Sequence, residues 1–323
     1  MTAGKVLAAA DIGTLVHRSA ETEIFLAGAE QTGEYEFVGT ARLPSRHPYY
    51  NDLPDAPSHA DPLLLLEACR QAGSYLAHAA LGVPLDAAFL VTDWDVRAHA
   101  TAWDVLADGD AELTLRIGAD DVVHRADAVR SLRWRMALSA RGEEIGEVVI
   151  GVVYAGPEEY QALRTLQRGA PPPRSSDLPD PPAESPAQAA AVGRGRAENV
   201  LIADLAGEPA WDRARLAVSL RHPTLFVHAN DHFTALTLTD AARQLCFARH
   251  AQATRAAAAG LALTGFTGTF TRFAELDAPV LLRAEPTAPG PDRTVPVEVR
   301  QHDQTIARIG ITYAPVEAAR RTA

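Results

Sequence analysis

Glu67, Arg70 and Gln71 stand at i, i+3 and i+4 within a stretch that is otherwise mainly leucine, alanine and cysteine. On a helix that spacing puts a carboxylate, a guanidinium and an amide on one stripe, each within reach of the others. Asp240, Arg243 and Gln244 repeat the set in the second half of the chain. A charge on a buried helix is costly unless it is paired, and two uses fit. Either each carboxylate pairs with its own arginine and clamps the helix to its neighbours, or the stripe lines a pocket in which the carboxylate takes a proton and the arginine binds an anionic group. Burial raises such a carboxylate's pKa and the arginine lowers it; the spacing leaves that balance open.

Histidines precede both stripes: His47 and His59 before the first, His222, His228 and His232 before the second. His228, Asp231 and His232 are of types that ligate zinc or shuttle protons, but a complete ligand spacing is missing and no metal is expected. His47-Pro48 and His222-Pro223 recur at matching places, which a turn explains as well as chemistry does. Arg133 and Arg135 lie on a predicted strand, on the face opposite Leu132, Trp134 and Met136. With Arg130 they form the densest positive cluster of the chain, either a phosphate site or a solvated strand face. His47, His59, His232, Arg133, Arg135, Trp94 and Trp103 are therefore the substrate-binding candidates, the two tryptophans fitting core or rim equally.

The elements that must position these residues come in two matching series. Ile24-Phe25-Leu26-Ala27 aligns with Val200-Leu201-Ile202-Ala203, and at the same offset Val16 and Arg18 align with Val192 and Arg194. His47-Pro48 then aligns with His222-Pro223, Glu67 to Gln71 with Asp240 to Gln244, and Gly151 to Ala155 with Gly310 to Ala314. Matches in one order, with a steadily falling offset, point to a diverged tandem duplication. Each copy reads as two strands, a loop, a long helix and four more strands. The first helix is capped by Asp61, started by Pro62 and stopped by Gly82 and Pro84, and it is apolar nearly all round, hence buried. Helices are expected near 62–81 and 234–258, side by side and related by an approximate two-fold axis. A buried helix wrapped by an antiparallel sheet, twice over, is an α+β double hotdog fold.

Residues 169–191 hold seven of the 22 prolines, which is the composition of a semi-stiff linker. The expected division is 1–168 for the first repeat, 169–191 for the linker and 192–323 for the second repeat. At 323 residues, 47% hydrophobic and 22% charged, the chain is globular, and no apolar run approaches the ~20 residues a membrane helix needs. A net charge of -11 argues against nucleic acid and anionic membrane as partners. Two cysteines and a start without secretory features lead to the expectation of a reducing cytoplasm.

Several segments resemble the first repeat of the AfsA-type γ-butyrolactone (A-factor) synthases of actinobacteria. They are Leu15-Val16-His17-Arg18, Glu23 to Leu26, Arg46-His47-Pro48-Tyr49-Tyr50, Asp61 to Leu64 running into Glu67-Ala68-Cys69-Arg70-Gln71-Ala72, and Tyr160 to Arg164. Where the family has Asp-His-Val-Pro-Gly before a helix bearing Glu-Ala-Ala-Arg-Gln, this chain has Asp231-His232-Phe233-Thr234-Ala235 and Asp240-Ala241-Ala242-Arg243-Gln244. The resemblance implies transfer of a β-ketoacyl group from an acyl carrier protein or coenzyme A thioester to dihydroxyacetone phosphate, without a cofactor, in a chain free to form a homodimer. The ester then cyclises by an aldol-type condensation to a butenolide phosphate, the precursor of a signalling lactone. It further implies that Glu67, Arg70 and Gln71 are catalytic, and that Asp240, Arg243 and Gln244 form a degenerate counterpart. Hotdog thioesterases, hotdog dehydratases and a non-catalytic acyl-binding or lactone-binding descendant are the alternatives. Dehydration is disfavoured because no Gly-His-Phe-Pro loop precedes Glu67.

Overall fold

In the computed structural model, residues 5–6, 11–52, 60–106, 109–182, 184–208, 210–255, 257–286 and 294–319 are described; His59 lies outside them. The chain divides into two compact units, one of residues 1–46 and 58–163, the other of 47–57 and 164–322.

In the first unit, β1 (Lys5–Val6), a one-turn helix α1 (Ile12–Leu15), β2 (Leu26–Gln31) and β3 (Glu36–Leu43) precede the long α2 (Pro62–Ala79). Then follow β4 (Ala88–Ala98), β5 (Ala111–Arg125), β6 (Ala128–Ala140) and β7 (Glu143–Ala155). The strands form an antiparallel sheet in the order β1-β2-β3-β5-β6-β7-β4. The Asp61 carboxylate accepts the Leu63 N–H at 2.8 Å and Pro62 occupies the first turn of α2, so the helix starts where side-chain capping dictates. Leu63, Leu64, Leu65 and Leu66 are all buried, because four consecutive leucines cover the whole circumference of a helix. Gly73 allows the close approach of α2 to the sheet: a Cβ there would lie 3.1 Å from Trp134 Nε1. Leu132, Trp134 and Met136 thus form the inner face of β6, and Arg133 and Arg135 the outer one.

After α3 (Pro157–Arg168), the second unit contains β8 (Ile202–Ala206), β9 (Arg213–Leu216), β10 (His232–Phe233) and α4 (Ala235–Thr254). β11 (Leu261–Phe270), β12 (Ala274–Glu275), β13 (Leu281–Ala284), β14 (Thr294–Gln301), β15 (Gln304–Pro315) and the short α5 (Val316–Ala319) complete it. Its main sheet runs β8-β9-β13-β14-β15-β11, and β10 pairs with β12. Strand for strand this is the order of β2-β3-β5-β6-β7-β4, with the central helix in the same place in the sequence, as duplication requires. The proline-rich stretch 169–191 lies along this unit. Proline residues cannot donate, but carbonyls and side chains of the stretch accept: Pro182 O from Arg215, and the Asp180 carboxylate from the Leu220 N–H and the Ser219 hydroxyl, both at 2.8 Å.

Candidate functional site

Glu67 sits in the second turn of α2, fully buried, and its carboxylate is held by hydrogen bonds from side chains. Arg70 grips it as a fork, Nε to Oε2 and Nη2 to Oε1, both at 2.8 Å. Oε1 also accepts from Arg18 Nη2 at 2.8 Å and Gln71 Nε2 at 2.9 Å. Burial pushes the Glu67 carboxyl up, but Arg18 and then Arg70 outweigh it, and the pKa is lowered from 4.5 to about 2. A carboxylate so held is a weak base at neutral pH. The expectation that Glu67 takes a proton therefore meets a geometry in which it anchors two arginines.

Those arginines are not equally enclosed. The Arg18 side chain is 10% exposed and Arg70 29%. Two guanidiniums converging on one carboxylate are a side-chain set of the kind that holds an anionic group or a developing oxyanion. Gln71 plays another part. Its Oε1 accepts the Phe25 and Leu26 N–H groups at 2.8 and 3.2 Å, and its Nε2 donates to Glu23 O at 2.8 Å. The amide ties α2 to the start of β2 and has no capacity left for a substrate.

Asp240 reproduces the carboxylate in a more enclosed setting. Its Oδ2 accepts from the Tyr49 hydroxyl at 2.6 Å, from Arg194 and from Gln244 Nε2 at 3.1 Å, while Arg243 pairs with Oδ1 at 2.6 Å. Asp240 is wholly buried, and Arg194 and Arg243 are 1% and 7% exposed. Arg194 also pairs with Asp52 at 3.4 Å, so two cations here meet two anions. Burial raises the Tyr49 phenol well above its ordinary value, and burial notwithstanding, Arg194 and Arg243 lower the Asp240 carboxyl. Gln244 bonds Leu201 N and Asn199 O, both at 2.9 Å, the counterpart of what Gln71 does.

The other candidates fall into place as follows. His47 Nδ1 accepts the N–H groups of Tyr49 and Tyr50 at 3.2 and 3.3 Å, and His222 Nδ1 accepts those of Thr224 and Leu225, both at 3.3 Å. The recurrent His-Pro pairs are thus turns closed by an imidazole. Arg133 pairs with Asp93 at 2.5 Å, Arg135 with Asp120 at 2.7 Å and Arg130 with Glu159. Arg133 and Arg135 are thus ion-paired on the outer face of β6, and Arg130 at the strand's start is ion-paired as well. Trp94 and Trp103 are buried. His232 Nδ1 lies 2.7 Å from Asp231, which Arg164 holds from the other side at 3.2 Å. Among the described residues no group of three His, Cys, Asp or Glu side chains is placed to hold a metal ion, and no helix is long and apolar enough to cross a membrane.

The residues the spacing did not single out are Arg18, Arg194 and Tyr49. For the two arginines a signal existed: the offset that aligns the first strands also aligns Arg18 with Arg194, and each delivers a guanidinium to its own helix carboxylate.

Two stretches, residues 8–153 and 176–317, match the model of the A-factor biosynthesis hotdog domain, AfsA. The chain is 33% identical over 296 residues to a 2-oxo-3-(phosphooxy)propyl 3-oxoalkanoate synthase of Streptomyces virginiae, covering 90% of this chain and 93% of that protein. Synthases of the same name from Streptomyces griseus and Streptomyces coelicolor are each 31% identical. They cover 89% and 86% of this chain, and 89% and 82% of the relatives. Both the repeat matches and the relatives extend over nearly the whole sequence, and the chain belongs to the AfsA family of A-factor biosynthesis hotdog proteins.

Proposed function

We propose that this protein joins the 3-oxoacyl group of an acyl carrier protein or coenzyme A thioester to the hydroxyl of dihydroxyacetone phosphate, giving the 2-oxo-3-(phosphooxy)propyl 3-oxoalkanoate that the relatives' name describes. The hydroxyl oxygen attacks the thioester carbonyl, the C–O bond forms, the C–S bond breaks and the thiol leaves with the proton. In the ester, the methylene carbon between the two carbonyls then attacks the ketone of the dihydroxyacetone phosphate part, a C–C bond forms and water is lost, giving a butenolide phosphate, a γ-butyrolactone precursor. The observation that carries this reading is the convergence of two guanidiniums, Arg18 and Arg70, on the buried Glu67 carboxylate, with the Arg70 side chain 29% exposed. Arg70 binds the phosphate or the oxyanion of the attacked carbonyl, and Glu67 fixes both arginines rather than acting as the base. The free, buried cysteines Cys69 and Cys246 suit a reducing compartment, and the reaction is assigned to the cytoplasm.

Incubation with a β-ketoacyl thioester, with and without dihydroxyacetone phosphate, tests the reaction. Ester and lactone formed only with the acceptor support it; free acid in both arms makes the protein a thioesterase, and no turnover makes it a binding protein. Arg70→Ala tests the site: the expected result is loss of saturation by dihydroxyacetone phosphate in a folded protein.

A further inference from the structure

The polar stripe of α2 extends beyond Gln71. Ser74, one turn on, accepts from Arg70 Nη1 at 3.4 Å, and His78, one further turn on, meets His17 with its Nε2 3.0 Å from His17 Nε2. His17 lies between Val16, whose carbonyl accepts from Arg70 Nη2 at 3.4 Å, and Arg18, which holds Glu67. It ends α1 in the left-handed region, with φ 56, where glycine or asparagine is usual and a residue with a larger side chain must be held by its surroundings.

The partners decide where the protons are. His78 Nδ1 lies 2.7 Å from the Val83 carbonyl, which can only accept, so this nitrogen carries a proton. Neutral His78 therefore has a bare Nε2, and the proton in the contact comes from His17. A second proton on the pair can be carried by His17 with the bond intact. When both rings are cationic, two N–H groups and two like charges face each other and the contact fails. Phe89 packs edge-on against His17 and tilted against His78, at 5.8 and 5.1 Å between centroids. Charged and titratable groups near the pair include Arg18, next to His17 in the chain, Glu67 and Arg70, which bond to Arg18 and the Val16 carbonyl, and the Tyr154 phenol behind Phe89, which burial keeps protonated.

We propose that His17 and His78 are positioning residues: their hydrogen bond locks the 16–18 turn and thereby aims Arg18 and Arg70 at the anionic group of the acceptor. This inference rests on the reading of the arginine cluster as the anion site. It assigns a task to two histidines that neither touch Glu67 nor belong to the Gln71 tie.

The test uses the full-length protein, the condensation assay and inorganic phosphate as competitor. His78→Phe keeps an aromatic ring against Phe89 but removes the acceptor. It is expected to lower kcat/KM by about 10²-fold, the cost of misplacing a group by about 1 Å, with a raised KM for dihydroxyacetone phosphate and weakened inhibition by phosphate. In His78→Gln the amide oxygen still accepts from His17 whether or not that ring is charged. This variant is expected to recover most of the loss and to move the acid limb of the pH profile to lower pH, which a packing role alone would not do. Unchanged kinetic constants in folded His78→Phe, or an unmoved acid limb in His78→Gln, overturn the proposal. Should the variants not fold, side-chain 15N spectra of the wild type decide: one protonated and one bare Nε2 coupled through the hydrogen bond support it, and two independently titrating rings refute it. Arg70→Ala separates the two readings. If Arg70→Ala keeps phosphate competition, the anion site itself is wrong and the inference falls with it; if it loses competition while His78→Phe keeps it, only the inference falls.

Discussion

Glu67 owes its state to a contest between burial and two arginines. The arginines win, with the carboxyl lowered from 4.5 to about 2. Because the folded pKa lies below the unfolded one, the ionised carboxylate contributes stability that is fully present above about pH 4.5 and is lost as the pH falls toward 2, on the order of 3 kcal/mol in all. Glu67→Gln removes that titration and leaves Arg18 and Arg70 without their anion. At neutral pH the variant is expected to be less stable by ~3–5 kcal/mol, and the gap to the wild type should shrink as the pH is lowered through this range. Urea unfolding at a series of pH values measures both. A constant gap from pH 7 to pH 2 would show that Glu67 is not held as an ionised pair.

At the scale of elements, α2 and α4 are tied by a glutamine to the starts of β2 and β8 respectively and anchored by a carboxylate, but only α4, among the described residues, has its carboxylate closed over by a phenol. Tyr49 donates to Asp240 at 2.6 Å and places its ring against Arg194, 4.7 Å from the guanidinium carbon. Tyr49→Phe keeps the ring and loses the bond to a charged acceptor, so it should destabilise by about 1.5–3 kcal/mol without altering turnover. A thermal melt and the condensation assay check this, and a loss of activity with unchanged stability would contradict the closed reading of α4.

The helices were legible in advance because capping, proline position and an unbroken apolar run all act locally on α2. Strand ends were less so. β5 runs on to Arg125, past the apolar alternation that ends near Ile117, because the ladder with β6 continues where burial does not. The helix α3 escaped because Arg164 is its one buried residue among those described, so no apolar face marks it. Tyr49 left no local trace, since its partner lies 191 residues away.

Across the whole molecule, duplication supplied two carboxylate–arginine–glutamine helices, and divergence gave them different surroundings. The Glu67 cluster keeps an arginine that is 29% exposed, whereas the Asp240 cluster adds Asp52 and Tyr49 and its arginines are 1% and 7% exposed. Asp240 is also one methylene shorter than Glu67, which draws its carboxylate back toward the helix, and Thr237 and Thr239 on the same helix are buried hydroxyl residues where an acyl chain would call for hydrocarbon. On the function proposed above, the first cluster receives the anion and the second holds its unit together. Both Glu67→Ala and Asp240→Ala strand buried arginines and should lower stability by similar amounts, ~3–5 kcal/mol, so specific activity must be compared in the folded fraction of each. There Glu67→Ala is expected to cost at least about 10²-fold more than Asp240→Ala, the scale of losing a preorganised electrostatic group. Equal losses would show that turnover depends on both carboxylates alike, and the assignment of a structural role to Asp240 would have to be abandoned.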